Sequence, residues 1–283
     1  MGLLDSNSNK IEDTAKQLWG RDLHLNYPAP PHVFQLEEVF QQRWTDAMKG
    51  DLLEIGCGSG TDLKVFLTYP NLKNITAIDL GATVDDLAIQ NKDIANLKIH
   101  RGNALSLEFN DSFFDVVYSF GIFHHTSDPF KCLQESYRVL KKHGKLFLYL
   151  YSSHEDIFYK RVGIFVESAV MKFFSYIPYS LQNLFCIALS PLCWLFFSAP
   201  SRIVKFFGLP ILAKRLPFYF GTHPFSLIPD LKDRLMSPIN HRFTKLEMEG
   251  LISSAGFDSF EVVKTSSGLY IYAVKDAALI DSP

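Results

Sequence analysis

The segment with the clearest chemical potential is a glycine-rich loop at residues 54–61, which reads Glu-Ile-Gly-Cys-Gly-Ser-Gly-Thr. It follows a short apolar run and precedes a helix that is predicted to begin near Asp62. Glycine lets the backbone turn sharply and lets a ligand approach the main chain closely. Exposed amides at a helix start favour an anionic group. The loop therefore predicts a ligand-binding turn between a strand and a helix, with Glu54 placed to face a cationic group.

The spacing of the glycines restricts the kind of ligand. Dinucleotide-binding loops read G-x-G-x-x-G, which would require glycine at position 61, where this chain has threonine. Asp79 follows Gly60 by 19 residues and ends the second predicted strand. A carboxylate at that position can accept hydrogen bonds from both hydroxyls of a ribose. The pattern disfavours a nicotinamide dehydrogenase and indicates a nucleoside ligand that carries a carboxylate and an ammonium group.

With these motifs the chain resembles the class I S-adenosylmethionine (SAM)-dependent methyltransferase family, of the type 11/12-like kind, over residues 50–151 and more weakly over 240–275. Residues 53–60 resemble its first motif, 78–79 its ribose-binding acid, 102–104 its adenine-binding segment, and 114–125 its fourth strand and following loop. The family has an acid where this chain has Asn103. The resemblance implies SAM as the cofactor, bound by Glu54, Gly56, Cys57, Gly58, Gly60, Asp79, Leu80, Asn103, Ala104, Ser119, Phe120 and Gly121.

Two adjacent histidines, His124 and His125, follow the fourth predicted strand, where the reactive methyl group is expected to point. Methyl transfer is an in-line displacement that depends on positioning, and it needs a base only when the acceptor must lose a proton. Histidine suits that task because it titrates near neutral pH. The pair is therefore the catalytic candidate, and the alternative is that it only shapes the loop. Tyr151, His223 and His241 are candidate substrate-binding residues, and no metal-ligand cluster is expected.

Strands and helices alternate along residues 51–151, which predicts a parallel sheet with helices on both faces. Near the C-terminus a capped helix precedes two β-patterned runs joined by a short turn, which predicts an antiparallel hairpin. The expected fold is α/β, a Rossmann-like class I methyltransferase sheet that is parallel except for one antiparallel C-terminal strand. The predicted organisation is an N-terminal arm and single helix at 1–50, a SAM-binding domain at 51–151 and 240–275, and an aromatic-rich, mainly helical insertion or lid at 152–239.

The insertion differs in composition from the rest of the chain. No residue between Lys172 and Arg202 is acidic or basic, and residues 160–220 contain seven Lys or Arg against Glu167 alone, although the whole chain carries a net charge of −2. Basic and aromatic residues together suit an anionic membrane surface or an amphiphilic substrate. A lid or a homodimer face is the equal alternative. Interrupting prolines and polar residues disfavour a membrane-spanning helix.

The expected function is SAM-dependent methyl transfer to a small-molecule or lipid-like acceptor, with O-methylation slightly favoured because the histidine pair offers a base. The alternatives are a C-methyltransferase of a prenylated or lipid-linked substrate and a non-catalytic SAM-fold binding protein. The acidic net charge and the absence of an Asn-Pro-Pro-Tyr motif disfavour nucleic acid as a partner. Four cysteines without a C-x-x-C pair indicate reduced thiols. The expected location is cytoplasmic, or peripheral to the inner face of a membrane.

Overall fold

The computed structural model describes residues 31–275 apart from positions 82, 214, 215, 217 and 220. A seven-stranded sheet in the order β3-β2-β1-β4-β5-β7-β6 forms the centre of this part of the chain. The strands are β1 Gly50–Ile55, β2 Leu72–Asp79, β3 Leu97–Arg101, β4 Phe114–Phe120, β5 Leu140–Leu150, β6 Ser259–Lys264 and β7 Leu269–Val274.

Strand direction confirms the expected fold class. Strands β1 to β5 pair in parallel, whereas β7 runs antiparallel to both β5 and β6. The central strands are apolar and buried on both faces because helices cover each side of the sheet, as parallel sheets require. The C-terminal hairpin closes that edge with the predicted antiparallel pair.

Helices flank the sheet and build the insertion. Those of the sheet domain are α1 Val33–Phe40, α2 Gln42–Ala47, α3 Thr61–Phe66, α4 Thr83–Gln90, α5 Pro129–Val139 and α11 Lys245–Ser254, with a 3₁₀ turn at Phe123–His125. Those of the insertion are α6 Phe158–Phe174, α7 Tyr179–Cys193, α8 Ala199–Phe206, α9 Pro210–Ala213 and α10 Ile228–Met236.

The N-terminal region differs from the sequence prediction. The single helix expected before Gly50 is two helices, because Gln41 takes a left-handed conformation (φ 44°) that interrupts the hydrogen-bonding pattern. Gly50 begins β1 instead of ending a helix, and a Cβ there would lie 2.2 Å from the Asp115 carboxylate. Residues 1–30 of the predicted arm lie outside the described residues.

Apolar side chains pack on both faces of the sheet. On one face Trp44 is fully buried, and its ring centroid lies 4.7 Å from that of Phe147. On the other face Phe123 and Phe257 are fully buried with the apolar side of α11. This packing fixes the carboxyl ends of β1, β2 and β4, where the predicted site residues lie.

The insertion is mainly helical, as predicted, and packs around its own small core. Helices α6 and α7 both pack on α10. A π-helical turn at Trp194–Ser198 joins α7 to α8, so that one continuous helix runs over Tyr179–Phe206. By length and composition alone, that helix could cross a membrane. The proposed boundaries of the insertion stay a prediction.

Candidate functional site

A cavity of about 1490 Å³ lies at the carboxyl ends of β1, β2 and β4 and continues beneath the insertion. This is the place where open parallel sheets bind their ligands. The predicted cofactor residues that line it are Glu54, Gly56, Cys57, Gly58, Asp79, Leu80, Asn103, Ala104, Phe120 and Gly121.

The glycine loop forms the floor of the cofactor end of the cavity. Gly56 has a φ of 87°, and a Cβ there would lie 2.1 Å from the Ile122 side chain. Gly60 (φ 75°) begins α3 and packs against Leu87. Gly60 does not line the cavity, so the structure gives it the task of turning the chain.

Asp79 holds the loop in shape. Its two carboxylate oxygens accept hydrogen bonds from the backbone amides of Gly58 (2.9 Å) and Gly81 (2.7 Å). A carboxylate has about four lone-pair sites, so each oxygen keeps capacity for one more donor. Asp79 can therefore bind ribose hydroxyls while it keeps the loop in place.

Glu54 has the most unusual environment of the cofactor end. Its side chain is 2% exposed, and Oε2 has no hydrogen-bond partner among the described residues. Burial raises the pKa of Glu54 well above its usual value, and the nearby Asp62 and Asp79 carboxylates raise it further. A buried, partnerless carboxylate costs free energy unless a donor arrives. The residue thus fits a ligand that brings a cationic group.

Two other predicted cofactor residues have specific partners. The Asn103 side-chain oxygen accepts a hydrogen bond from the Leu105 amide (2.9 Å), so the group left to meet a ligand is the NH₂, which donates. Ser119 is fully buried and donates to the Ile55 carbonyl (2.9 Å). Ser119 does not line the cavity and instead ties β4 to β1.

The start of the described chain adds a wall that the sequence did not indicate. The His32 ring stacks on Phe120, with centroids 4.4 Å apart, and lines the cavity. The His32 backbone amide donates to Asp62 Oδ1 (2.6 Å), and the Tyr118 hydroxyl donates to Asp62 Oδ2 (2.6 Å). Burial alone would raise the pKa of Asp62, but the His32 side chain, whose Nδ1 lies 3.5 Å from Oδ2, and the Tyr118 hydroxyl bring it below its usual value. No periodic pattern marks His32, because it precedes the first helix.

Of the histidine pair, only His125 reaches the cavity. Its Nδ1 lies 2.8 Å from the Ile239 carbonyl oxygen and 2.9 Å from Ser237 Oγ, while Nε2 lies 3.3 Å from Asp233 Oδ1. A carbonyl oxygen only accepts, so Nδ1 carries the proton. The Tyr151 hydroxyl donates to Asp233 Oδ2 (2.6 Å). We call these three side chains, Tyr151, Asp233 and His125, the polar triad.

The charges within the polar triad support one another. Burial would raise the pKa of Asp233, but the contacts with His125 and Tyr151 bring it below its usual value, so the carboxylate is anionic. Burial, followed by the Asp233 charge, raises the pKa of Tyr151 well above its usual value, so its hydroxyl stays a donor. The triad therefore presents an anion beside an imidazole.

His124 lies behind the triad. It is fully buried, and its ring stacks on Tyr151 with centroids 4.1 Å apart. Neither ring nitrogen has a hydrogen-bond partner among the described residues, and burial lowers its pKa well below the usual value, followed by the effect of His125. His241, which donates its backbone amide to the His124 carbonyl (2.8 Å), is also absent from the cavity lining, whereas the exposed His223 lies at the rim.

Sequence reasoning missed Asp233 and the charged residues around it. Arg234 Nε lies 2.8 Å from Asp230 Oδ2, and Arg242 pairs with Glu167 of α6. These groups line the acceptor end of the cavity. The sequence does show a cluster of charges at 230–234 within an otherwise apolar insertion. It does not show that Asp233 contacts Tyr151 and His125, because both are over 80 positions away in the chain.

Comparison with known proteins agrees with this geometry. A family model described as a methyltransferase domain matches residues 53–148. Residues 53–148 therefore form a domain of the class I SAM-dependent methyltransferase kind. It is 29% identical over 155 residues to 27-O-demethylrifamycin SV methyltransferase of Amycolatopsis mediterranei, which covers 48% of this chain and 53% of that protein.

The chain is similar to two further proteins. The uncharacterized methyltransferase YcgJ of Bacillus subtilis is 32% identical over 108 residues, which cover 37% of this chain and 42% of that one. The crystal structure of YcgJ superposes with a TM-score of 0.47 and 16% identity, covering 82% of this chain and 71% of that one. The 24-methylenesterol C-methyltransferase 2 of Oryza sativa is 26% identical over 165 residues, which cover 54% of this chain and 43% of that one. The chain spans about half the length of these curated relatives.

Within the part of the chain that the structure describes, no group of three or more His, Cys, Asp or Glu side chains could hold a metal ion.

The cavity has two ends. The cofactor end contains the glycine loop, Glu54 and Asp79. The acceptor end contains the polar triad and the inner sides of α6 and α7.

Proposed function

We propose that the protein transfers a methyl group from SAM to a hydroxyl oxygen of a small or lipid-like acceptor. One observation carries this proposal: the buried Glu54 carboxylate, whose Oε2 has no hydrogen-bond partner among the described residues, lines the same continuous cavity as the polar triad. A cationic cofactor group at one end and a proton-accepting group at the other are what O-methylation requires.

The cofactor end has the groups that SAM needs. SAM supplies an electrophilic methyl group on a sulfonium. Glu54 would pair with its ammonium group, the amides at the start of α3 would face its carboxylate, and Asp79 would accept hydrogen bonds from its ribose. Asn103 would donate to the adenine ring, because its side-chain oxygen is already occupied.

The acceptor end can orient a hydroxyl and take its proton. Because His125 Nδ1 is protonated toward Ile239, Nε2 is the nitrogen that can accept a proton. The anionic Asp233, 3.3 Å away, stabilises the imidazolium that results, and Tyr151 fixes the carboxylate. With SAM bound as methyl donor, Nε2 would take the proton that the acceptor hydroxyl loses on methylation. His124, which is buried and neutral, supports the Tyr151 ring.

C-methylation of a prenylated or lipid-linked substrate is the second candidate. The apolar side chains of α6 and α7 at the acceptor end favour it, as does the likeness to a protein named as a C-methyltransferase. Methylation of a carbon atom that does not have to lose a proton to a base as it attacks would depend less on His125. The third candidate is a non-catalytic protein that binds SAM without turnover, and the binding and turnover experiments below distinguish it from the other two.

Calorimetric titration with SAM and with S-adenosylhomocysteine tests the cofactor end. Glu54→Gln should weaken SAM binding by about tenfold or more, because it removes a charge-assisted hydrogen bond of about 1.5–3 kcal/mol. Glu261→Gln, whose carboxylate is half exposed on β6, is the matched control and should bind as the wild type does. A wild-type protein that binds neither ligand would overturn the proposal.

Turnover with a panel of hydroxyl and carbon acceptors tests the triad. His125→Asn should lower kcat/KM for a hydroxyl acceptor by about 100-fold, with the SAM affinity unchanged. Tyr151→Phe should have a smaller effect in the same direction. Unchanged turnover in His125→Asn would refute the base, and a methylated carbon in the product, located by NMR, would favour the second candidate.

A further inference from the structure

The insertion presents an apolar surface to solvent. We define the outer face as the exposed apolar side chains of α6, the helix α7–α8 and the residue after it. Its members include Phe165, Phe173, Leu184, Phe196, Phe206 and Phe207, of which Phe206 is 86% exposed. An exposed apolar surface of several aromatic side chains on a folded protein marks an interaction site.

The same helices, α6 and α7, place several small or polar side chains on their inner sides, toward the protein. On the side that packs toward α10, α7 buries Ser190, which donates to the Pro224 carbonyl (2.7 Å), together with Cys186 and Cys193. On α6, Glu167 faces inward and pairs with Arg242. Small and polar groups thus share the inside with an apolar core that includes Phe174, while other large apolar side chains of the same helices face outward, an arrangement that suits an apolar surrounding.

Charge identifies that surrounding. The exposed charged side chains of residues 158–213 are Arg161, Lys172, Arg202 and Lys205, all cationic. The acid of this range, Glu167, has a side chain that is only 12% exposed, and it pairs with Arg242. Apolar groups among cations fit a bilayer that carries anionic lipids. A second copy fits poorly, because a two-fold interface would set these cations against themselves without any acid.

The outer face is suited to lie on a bilayer, not to cross it. The helix Tyr179–Phe206 is long and apolar enough for a span, but its inner side packs on α10, which carries Asp230, Asp233 and Arg234. A crossing would draw these charges toward the hydrocarbon or strip the helix from its partner, and both cost free energy. An in-plane position leaves the inner core intact.

The cavity opens onto the same surface. Tyr159 and Val166 of α6 and Phe185 of α7 are exposed and also line the cavity. An amphiphile could therefore pass from a bilayer into the acceptor end, with its polar group at the triad and its chain between α6 and α7.

We propose that the outer face docks on an anionic membrane surface and that the methyl acceptor is an amphiphile that enters from the bilayer between α6 and α7. The docking stands on the exposed residues alone, whereas the entry of the acceptor rests on the proposed function.

Sedimentation with vesicles tests the docking without SAM or an acceptor. The wild type should bind vesicles of equal parts phosphatidylcholine and phosphatidylglycerol, and bind pure phosphatidylcholine much more weakly. The double variant Phe165→Ser/Phe206→Ser should bind at least tenfold more weakly. Arg161→Gln/Lys172→Gln should lose about fivefold per charge, less at high salt. Leu246→Ser, which removes a 78% exposed leucine on α11, is the matched control and should behave as the wild type.

Two results would overturn the docking. One is a wild type that binds neither vesicle. The other is a stable dimer in light scattering that Phe165→Ser/Phe206→Ser converts to a monomer, which would assign the outer face to a second copy. Vesicle binding in a protein that fails to bind SAM would refute the proposed function and leave the docking standing.

Binding of cis-parinaric acid, a fluorescent long-chain anionic amphiphile, tests the entry. The wild type should enhance its fluorescence, and Val166→Trp, which narrows the opening, should reduce the affinity severalfold while SAM binding stays unchanged. Equal probe binding by Val166→Trp and the wild type would refute this route into the cavity.

Discussion

The sheet domain and the insertion use apolar residues in opposite ways. In the sheet domain Trp44, Phe66 and Phe147 are fully buried. In the insertion Phe165 and Phe206 are exposed, while Ser190 and Glu167 lie inside. The difference shows that hydrophobic content alone does not indicate a core. The surroundings of each side chain decide whether it stabilises the fold or serves as a surface.

The sharpest test of this comparison is the replacement of a buried aromatic residue in the sheet domain. Trp44→Ala should lower the free energy of unfolding by about 4 kcal/mol, because it leaves a cavity among aromatic rings and frees the Tyr69 hydroxyl that the indole contacts at 2.9 Å. Denaturant titration measures the effect. Phe34→Ala, at a 53% exposed position on α1, is the control and should cost under about 1 kcal/mol.

The polar inside of the insertion should be nearly as sensitive. Glu167→Gln should cost about 3 kcal/mol, because it leaves Arg242 buried without its carboxylate partner. Glu249→Gln on α11, which only loses a 3.6 Å surface pair with Lys245, should change stability by about 0.5 kcal/mol or less. Equal effects in the two variants would show that the inner side of α6 is not a desolvated core.

The pH dependence of stability should distinguish the buried His154 from an exposed histidine. Burial, followed by nearby cations led by Lys160, lowers the pKa of His154 to about 4. The unfolded state, with a pKa near 6.5, then binds more protons, so stability falls as pH drops from about 6.5 to 4. His154→Asn should remove this pH-dependent contribution to the free energy of unfolding, which is at most about 3.5 kcal/mol because each unit of pKa difference corresponds to about 1.4 kcal/mol.

The variant keeps the backbone of residue 154, because asparagine tolerates its φ of 49°. His143→Asn is the matched control: it has a φ of 61° and an exposed ring. Denaturant titrations between pH 7 and 4 should differ from the wild type only for His154→Asn, and parallel curves for all three proteins would contradict the assignment.

The smallest effect is expected on the outer face. Phe206→Ser should change the free energy of unfolding in vesicle-free buffer by no more than about 0.5 kcal/mol, because the ring is 86% exposed. Thermal denaturation with and without anionic vesicles measures it. A loss as large as that of Trp44→Ala would mean that this phenylalanine packs against protein, and the comparison of the two regions would fail.

Local patterns were sufficient to predict most of the sheet and to single out the residues at the cofactor end, whose role in binding stays a prediction. Glycine spacing located the loop, and the strand ends located Glu54 and Asp79, because these signals are confined to a few neighbouring residues. The break at Gln41 left no such signal. Asp233 and His32 are joined to the cavity only by long-range packing, and the sequence could not distinguish His125 from His124, since one of two adjacent residues must turn away from the cavity.

The π turn at Trp194–Ser198 sets the rotational phase between the two halves of the long helix. A π turn accommodates one extra residue, so removing one residue here would restore a plain α-helix with α8 in the same orientation, whereas adding one would rotate α8 by about 100° relative to α7. After such an addition Phe206 would leave the outer face, although every side chain would still be present. The length of this segment is therefore under a constraint that composition does not reveal: substitutions within it can be tolerated where a single insertion cannot.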